Sequence, residues 1–365
     1  MTVLLCTFHR NCTTVAAILV AFAACFVTAG AAGAGQNARL TELADGVYVH
    51  RAGPDTGADT NAGIVVLEHG VVVFDTHSTP EAGRELQWKI ATVTSKPILL
   101  VINSHFHAHH THGNQAFGAV PYFVSSGNTR RDILERDLPA LNRAVSAAQV
   151  QIEKMRKQHA LVRDGDARAE IDKRIGARRR LLDRMMQLKI VAPEMTFDDE
   201  LRIVDGSRVV ILRRLGAGHT DGDIVMYLPA EKIAFVGDLF FNAALPGSQD
   251  AVLLEWPRTL DELLKIDAES FVPGHGAVGR REDVRGFAGY LDALKRMVQE
   301  SLDRGDTLEH LIQGAKVPEK YAGHGSQELF PSNVQKMYTE LKALQAAARP
   351  AGGPEGVRKP RETRP

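Results

Sequence analysis

Four times along this chain an apolar strand runs into a loop made of histidine, glycine and aspartate. The loops are His105-F-H-A-H-His110, His219-T-D-G-Asp223, Gly237-Asp238 and Pro273-Gly274-His275-Gly276. A loop at the C-terminal end of a strand, carried by a stable sheet, is where ligands collect. Histidines at i and i+2 on an extended or turning segment put both rings on one side, able to share one metal, whereas a helix needs i and i+4. Glycines 216, 218, 222, 274 and 276 let the backbone turn tightly beside such ligands.

The surrounding pattern is that of an α/β fold. Gly46-V-Y-V-His50 alternates, and Ala62–His77 reads as two β-branched runs joined at Glu68-His69-Gly70, a hairpin signature. Pro80–Thr92 reads as a helix, with Ser78 or Thr79 as its cap. Pro97–Asn103 is a continuous apolar strand of the buried kind, and the histidine cluster begins at its end. Val120–Ser125 is a further short strand. Strands resume at Leu201–Val204, Arg208–Leu215, the stretch before Pro229, and Lys232–Gly237, which ends at Asp238. Helices are expected over Thr259–Ile266, 282–303 and 330–347.

Residues 127–190 differ in kind. They are rich in Arg, Lys, Glu, Ala, Leu and Met, with apolar positions near helical spacing at Ile133, Leu138, Leu141, Val145, Ile152 and Met155, and again from Ile171 to Leu188. Gly165 marks a turn between two helices. The segment is a helical hairpin inserted between the strands. It either packs on the domain or serves as a lid or dimerisation arm, and so as a route to an oligomer. Its apolar stripe is narrow and leaves much charge in solvent.

The chain ends differ again. Arg10 precedes the apolar run Val15–Val27, and small residues follow, as in an export signal over residues 1–34 with cleavage near Ala31–Gly35. An uncleaved anchor is the competing reading. Cleavage predicts a periplasmic or secreted protein with no stable membrane insertion. The organisation expected is thus a signal over 1–34, a principal domain over 40–285, C-terminal helices over 286–347 and a disordered tail over 348–365. Lys+Arg and Asp+Glu both number 44, a balance that gives no reason to expect nucleic acid as a partner. All three cysteines fall in the leader, at Cys6, Cys12 and Cys25, so the remaining chain has no disulfide and no thiolate ligand. A metal site must then use histidine and carboxylate, which favours zinc, iron or manganese.

In their order and spacing the four loops resemble the signature of the metallo-β-lactamase superfamily: H-x-H-x-D-H, G-x-G-H-T-x-G, G-D and G-H. Asp75 in V-F-D-T and Thr60-N-A-G flank them as that family's pattern does. The resemblance covers roughly residues 40–285 and implies a four-layer αβ/βα sandwich with metal in a groove between two sheets. Carried over residue by residue, it implies His105, His107 and His219 on a first metal, His110 and His275 on a second, and Asp238 bridging them. It implies a zinc-dependent hydrolase with one or two Zn2+, in which hydroxide on the metal attacks the substrate and the second metal stabilises the leaving anion.

One position departs from the pattern. His109 stands where the family has an aspartate. A carboxylate there neutralises positive charge and accepts a hydrogen bond from the nucleophile; a neutral histidine does neither. Three arrangements stay open: His109 ligates the second metal, the second site is weak or empty, or catalysis is lost. His109 and Asp238 are therefore the candidate catalytic residues, Asp238 also as proton acceptor. His112 is read as backing the ligands or lying at the surface, His77 as a turn residue, and His50, His69, His159, His310 and His324 as surface or packing residues. Asp223 is read as capping its turn or supporting an imidazole, not as a ligand.

The run H-T-D-G-D, followed by the G-D aspartate, is most similar to the exported, glyoxalase-II-like branch. The expected substrate is a small molecule with an ester, thioester, lactone or amide bond, with β-lactam turnover as a side activity. Two alternatives are an oxidoreductase resembling persulfide dioxygenases with a single Fe2+, and a metal-binding protein without catalysis.

Overall fold

The computed structural model describes residues 39–51 and 60–348. The expected export signal and the tail from residue 349 lie outside them. Seven strands form one sheet in sequential order: β1 Arg39–Ala44, β2 Val47–Arg51, β3 Asn61–Val66, β4 Val71–Phe74, β5 Ile98–Ile102, β6 Tyr122–Ser126 and β7 Met195–Phe197. β1 to β4 pair antiparallel, and β4 to β7 run parallel. The second sheet has the order β12-β11-β10-β9-β8, with β8 Glu200–Asp205, β9 Arg208–Arg213, β10 Val225–Leu228, β11 Ile233–Phe241 and β12 Ser270–His275.

The two sheets face each other. Alternation along each strand sends one set of side chains inward, so Val49, Phe74, Ile102 and Val124 of the first sheet meet Leu212, Met226, Phe235 and Val272 of the second. The outer face of the first sheet is covered by α1 (Pro80–Val93), which buries Leu86 and Ile90 on Ile64, Val73 and Val101. Its start is set chemically: Thr79 Oγ1 accepts the Ala82 amide at 3.1 Å, and Pro80 occupies the first turn. Helices also cover the second sheet, giving the four-layer αβ/βα sandwich. Trp256 and Leu260 come from α6 (Trp256–Leu264), Phe287 and Leu294 from α7 (Arg281–Asp303), and Val334 from α9 (Phe330–Ala348). The short α8 (Leu308–Gly314) lies between the last two. Among the described residues no helix is long and apolar enough to cross a membrane.

The inserted hairpin rises from the end of β6. After the one-turn helix α2 (Ala108–Thr111) in the histidine loop comes α3 (Gly127–Asp132), then a π-turn Ile133–Asp137, then α4 (Leu138–Leu161) and α5 (Gly165–Gln187). α4 and α5 zip through Leu141, Ala148 and Met185 near the root and Ile152, Ile171 and Ile175 further out.

Several boundaries differ from expectation. Gly165 is the first residue of α5, not the turn, because Asp164 accepts the Ala167 amide at 2.8 Å and starts the helix there. β11 does not stop at Asp238 but continues to Phe241, its register shifting around Gly237. Gly237 has φ +52, and a Cβ there would meet Ser104 Cβ at 2.7 Å, so glycine is required where β11 passes the first histidine loop. α6 starts at Trp256, three residues early, with Pro257 in its first turn.

Candidate metal centre

β5 of the first sheet and the parallel pair β11 and β12 of the second carry loops that meet at one place. His105 follows β5 and is fully buried. Ser104 orients its ring. Ser104 Oγ donates to Asp75 Oδ2 at 2.7 Å, so its lone pair receives His105 Nδ1–H at 2.9 Å. That leaves His105 Nε2 as a lone pair facing the site.

Three imidazoles close on one point. His107 Nδ1 is 3.1 Å from His105 Nε2 and 2.9 Å from His219 Nε2. The other nitrogen of His107 donates to Asp250 Oδ2 at 2.8 Å, which again leaves the inward nitrogen unprotonated. Asp238 lies beside this trio. Its Oδ2 is 3.3 Å from His219 Nε2, 3.9 Å from His105 Nε2, 3.4 Å from His109 Nε2 and 3.5 Å from His275 Nε2. Its Oδ1 is 3.2 Å from His110 Nε2. Bonds of about 2.0–2.1 Å at tetrahedral angles put ligand atoms roughly 3.3 Å apart. The observed separations scatter around that figure.

His109 and His110 share the short helix α2, and both rings reach the carboxylate. His110 is buried, and its Nδ1 is held by Asp75 Oδ2 at 2.8 Å. The His109 side chain stays 31% exposed, with its Nε2 turned toward Asp238 Oδ2. His275 stacks parallel on Phe241, with ring centroids 5.7 Å apart. Gly274 makes room for the carboxylate: a Cβ there would overlap Asp238 Oδ1 and meet His110 Cε1 at 2.7 Å.

The donor set fits a divalent cation. His110 Nε2 and Asp238 Oδ1 are buried 3.2 Å apart, at ion-pair distance, but neither meets hydrogen-bond geometry with the other or with any other described group. A buried polar atom left so costs about 1–3 kcal/mol, and a shared cation would satisfy both. Imidazole and carboxylate suit zinc, iron or manganese. Burial keeps His105 and His109 neutral well below the ordinary range, and lowers His219 to about 3. Burial works against charge on His110 too, but Asp238 and Asp75, one at each ring nitrogen, outweigh it and lift its pKa to about 10. Burial would raise the Asp238 carboxyl, yet His275 and His110 hold it well below the usual carboxylate range.

All seven residues singled out in the sequence as metal ligands meet here. Two groups lie within mutual reach and share His105: His105, His109, His110 and Asp238, and His105, His107 and His219. His275 belongs to neither group and joins through Asp238 Oδ2 at 3.5 Å. Asp223 caps its own turn instead, taking the Thr220 amide at 2.9 Å and its hydroxyl at 2.6 Å, and burial raises its carboxyl to about 7. His112 is buried against Asp137 at 3.0 Å.

Other residues behind the site are read in the sequence only as flanks or turns, or not at all. His77 is fully buried at φ +70; its Nε2 meets His50 Nδ1 at 2.9 Å and its Nδ1 meets Thr60 Oγ1 at 2.8 Å. Thr60 Oγ1 in turn donates to the His109 carbonyl at 3.2 Å. Asn61 ties the His275 loop down, donating to Pro273 O at 2.8 Å and Gly276 O at 2.9 Å. Asp250 lies in S-Q-D-A, a stretch with no motif, and only its approach to His107 from 143 residues away gives it a role.

Comparison with known proteins follows the same lines. The family model of the metallo-beta-lactamase superfamily matches residues 55–147 and 153–275. A linear primary-alkylsulfatase of Pseudomonas sp. (strain ATCC 19151) is 26% identical over 275 residues, 72% of this chain and 51% of the relative. A metallo-beta-lactamase type 2 of Bacteroides fragilis is 31% identical over 106 residues, 28% of this chain and 43% of its own length. The chain thus spans about half the length, or less, of these curated relatives. Among solved structures, the stereoselective inverting sec-alkylsulfatase Pisa1 from Pseudomonas sp. superposes with a TM-score of 0.59 at 18% identity, covering 83% of this chain and 50% of that one. A metallo-beta-lactamase from Pontibacter korlensis gives 0.52 at 21% identity, covering 70% and 99%. At these identities the structural likeness speaks for the fold.

Proposed function

The chain belongs to the metallo-beta-lactamase superfamily, and from that premise we propose that it is a metal-dependent hydrolase acting on an ester-type or amide bond of a small molecule. The observation that carries the reading is the Asp238 carboxylate, with His109, His110, His219 and His275 all within 3.5 Å of its oxygens. In the proposed assignment His105, His107 and His219 hold one cation. His109, His110 and His275 hold a second, and Asp238 lies between. Of the three arrangements for position 109, the inward-facing ring favours the one in which His109 is a ligand.

A divalent cation in such a site supplies Lewis acidity and a nucleophile drawn from water at neutral pH. The chain's own residues do the rest. Ser104 and Asp250 fix the tautomers of His105 and His107, so that lone pairs face inward. Asp238 is placed to accept a proton at Oδ2, the oxygen approached by His105, His109, His219 and His275. Trp256 and Phe241 wall the His219 side with apolar surface, at ring separations of 5.7 and 5.6 Å, which strengthens electrostatics there.

The proposed charge balance also bears on substrate. Six imidazoles and one carboxylate leave a cation-loaded site strongly positive, which suits a substrate or leaving group carrying negative charge. Two alkylsulfatases stand among the relatives, and sulfate esters therefore belong in the substrate panel. Export, from the leader sequence, is part of the same proposal.

The test is metal content of protein purified without added metal, with hydrolysis measured over carboxylic esters, thioesters, lactones, β-lactams and alkyl sulfates. One or two zinc per chain and turnover of one class is the expected result. Stoichiometric iron with oxygen uptake would replace the hydrolase reading, and bound metal with no turnover of any class would remove it.

A further inference from the structure

The inserted hairpin meets the metal loops through its root. Arg136, in the π-turn, forms an ion pair with Asp250 Oδ1, and Asp250 Oδ2 takes the His107 Nε2 proton at 2.8 Å. Among the described residues the Asp250 carboxylate has no other partner. Arg136 is itself held in place: its guanidinium lies 4.5 Å over the Phe106 ring and reaches Asp132 Oδ2 at 3.1 Å. The next residue, Asp137, holds His112 of the same histidine loop at 3.0 Å. A π-turn takes more residues per turn than an α-helix and recurs at functional positions. Here it sends two successive side chains, Arg136 and Asp137, to one loop.

The root grips the second metal loop as well. Arg131 pairs with Asp221 at 2.7 Å, Asn128 donates to the Asp221 carbonyl at 2.9 Å, and Thr129 Oγ1 donates to the Gly222 carbonyl at 2.9 Å. One short segment, residues 128–137, therefore braces the loops that carry His105, His107 and His219.

We propose that the root of the helical insertion is a positioning element of the metal centre, in which Arg136 acts through Asp250 to fix the ring of His107. Both are positioning residues. With Arg136 removed, Asp250 keeps one partner and is free to rotate, and the inward lone pair of His107 Nδ1 is no longer enforced. Partners of this kind behind metal-bound histidines change metal affinity by about 10–100-fold when altered. The inference rests on the metal site proposed above, so its test includes a measurement that needs no metal.

Histidine-labelled, metal-free protein is examined by long-range nitrogen–proton NMR, which reads the His107 tautomer. Cobalt(II) titration of the same samples reads affinity and the visible absorption of the bound ion. Wild type is expected to show His107 with its proton on Nε2. Arg136→Ala and Asp250→Asn are expected to mix the tautomers, weaken cobalt binding at least tenfold and alter its absorption. Arg136→Lys should recover most of both. Arg143→Ala, at an exposed arginine on α4 with no ion pair among the described residues, should change neither. Arg136→Gln keeps a polar, unbranched side chain without the charge and carries the test should the alanine variant fail to fold. A folded Arg136 variant with unchanged tautomer and affinity overturns the proposal, even if Asp250→Asn shifts both. If wild type takes up no cobalt, the metal reading falls, and the tautomer alone decides the positioning claim.

Discussion

His109 Nε2 stands 3.4 Å from Asp238 Oδ2, while His110 Nε2 stands 3.2 Å from Oδ1 of the same carboxylate. Two adjacent histidines on one helical turn thus reach both oxygens of a single buried aspartate. The imidazole at 109 takes the direction of a ligand without bringing its charge. His109→Ala is expected to lower metal content from two ions per chain to one, with affinity at the first site changed less than threefold. His109→Asp should keep two ions. It should also raise KM for an anionic substrate, because the site loses a unit of positive charge. Elemental analysis and steady-state kinetics on the three proteins check this.

Asp238 lies within 3.9 Å of His105, His109, His110, His219 and His275, and it balances the charge of His110, whose pKa is lifted to about 10 in the metal-free protein. Removing one partner of a buried charge pair costs about 3–5 kcal/mol. Asp238→Asn should therefore destabilise the metal-free protein by about that amount in urea unfolding and abolish tight metal binding. An unfolding midpoint equal to wild type would mean that the His110–Asp238 pair is not a charged one.

How much of this site is legible from sequence depends on range. His105, His107 and His110 are set by spacing within one loop, and His219, Asp238 and His275 each follow a strand whose apolar run is plain. Asp75 is legible only as a flank of the pattern, although it fixes both Ser104 and His110. Arg136, Asp137 and Asp250 are not legible at all. Their partners lie 30, 25 and 143 residues away in the chain, a range over which local spacing carries no information. α8, at seven residues, is too short for periodicity to show.

The ionisation of the metal-free site fixes how its stability depends on pH. His219 has a folded pKa of about 3, below the 6.5 of an unperturbed histidine. Below pH 6.5 the unfolded chain binds a proton that the folded chain does not, so stability falls as pH drops from 6.5 toward 3. His105 and His109 act in the same direction. His110, at about 10, acts oppositely. Its contribution is fully present below pH 6.5 and is lost as pH rises through 10. Chelator-treated protein should be most stable near pH 6–7, with the steeper loss on the acid side, where three histidines act together. A cation held by His110 would have to displace its proton. Calorimetric titration with zinc at pH 8 in two buffers of different ionisation enthalpy should therefore show close to one proton released per chain.

Gly274 gives a test of the packing that aims the carboxylate. A methyl group there would overlap Asp238 Oδ1 and press on His110 Cε1. Neither neighbour can yield freely, since both are buried and His110 is held by Asp75. Overpacking of this kind costs about 1–3 kcal/mol, and here the strain is relieved most directly by turning Asp238 away from the imidazoles. Gly274→Ala is expected to keep its fold, lose about that much stability and bind zinc at least tenfold more weakly. Gly286→Ala is the matched control. It lies on α7, where a Cβ meets nothing within 4 Å, and replacing a helical glycine with alanine stabilises by up to about 1 kcal/mol. Equal zinc affinity in the two variants would show that the position of the Asp238 carboxylate is not set by Gly274.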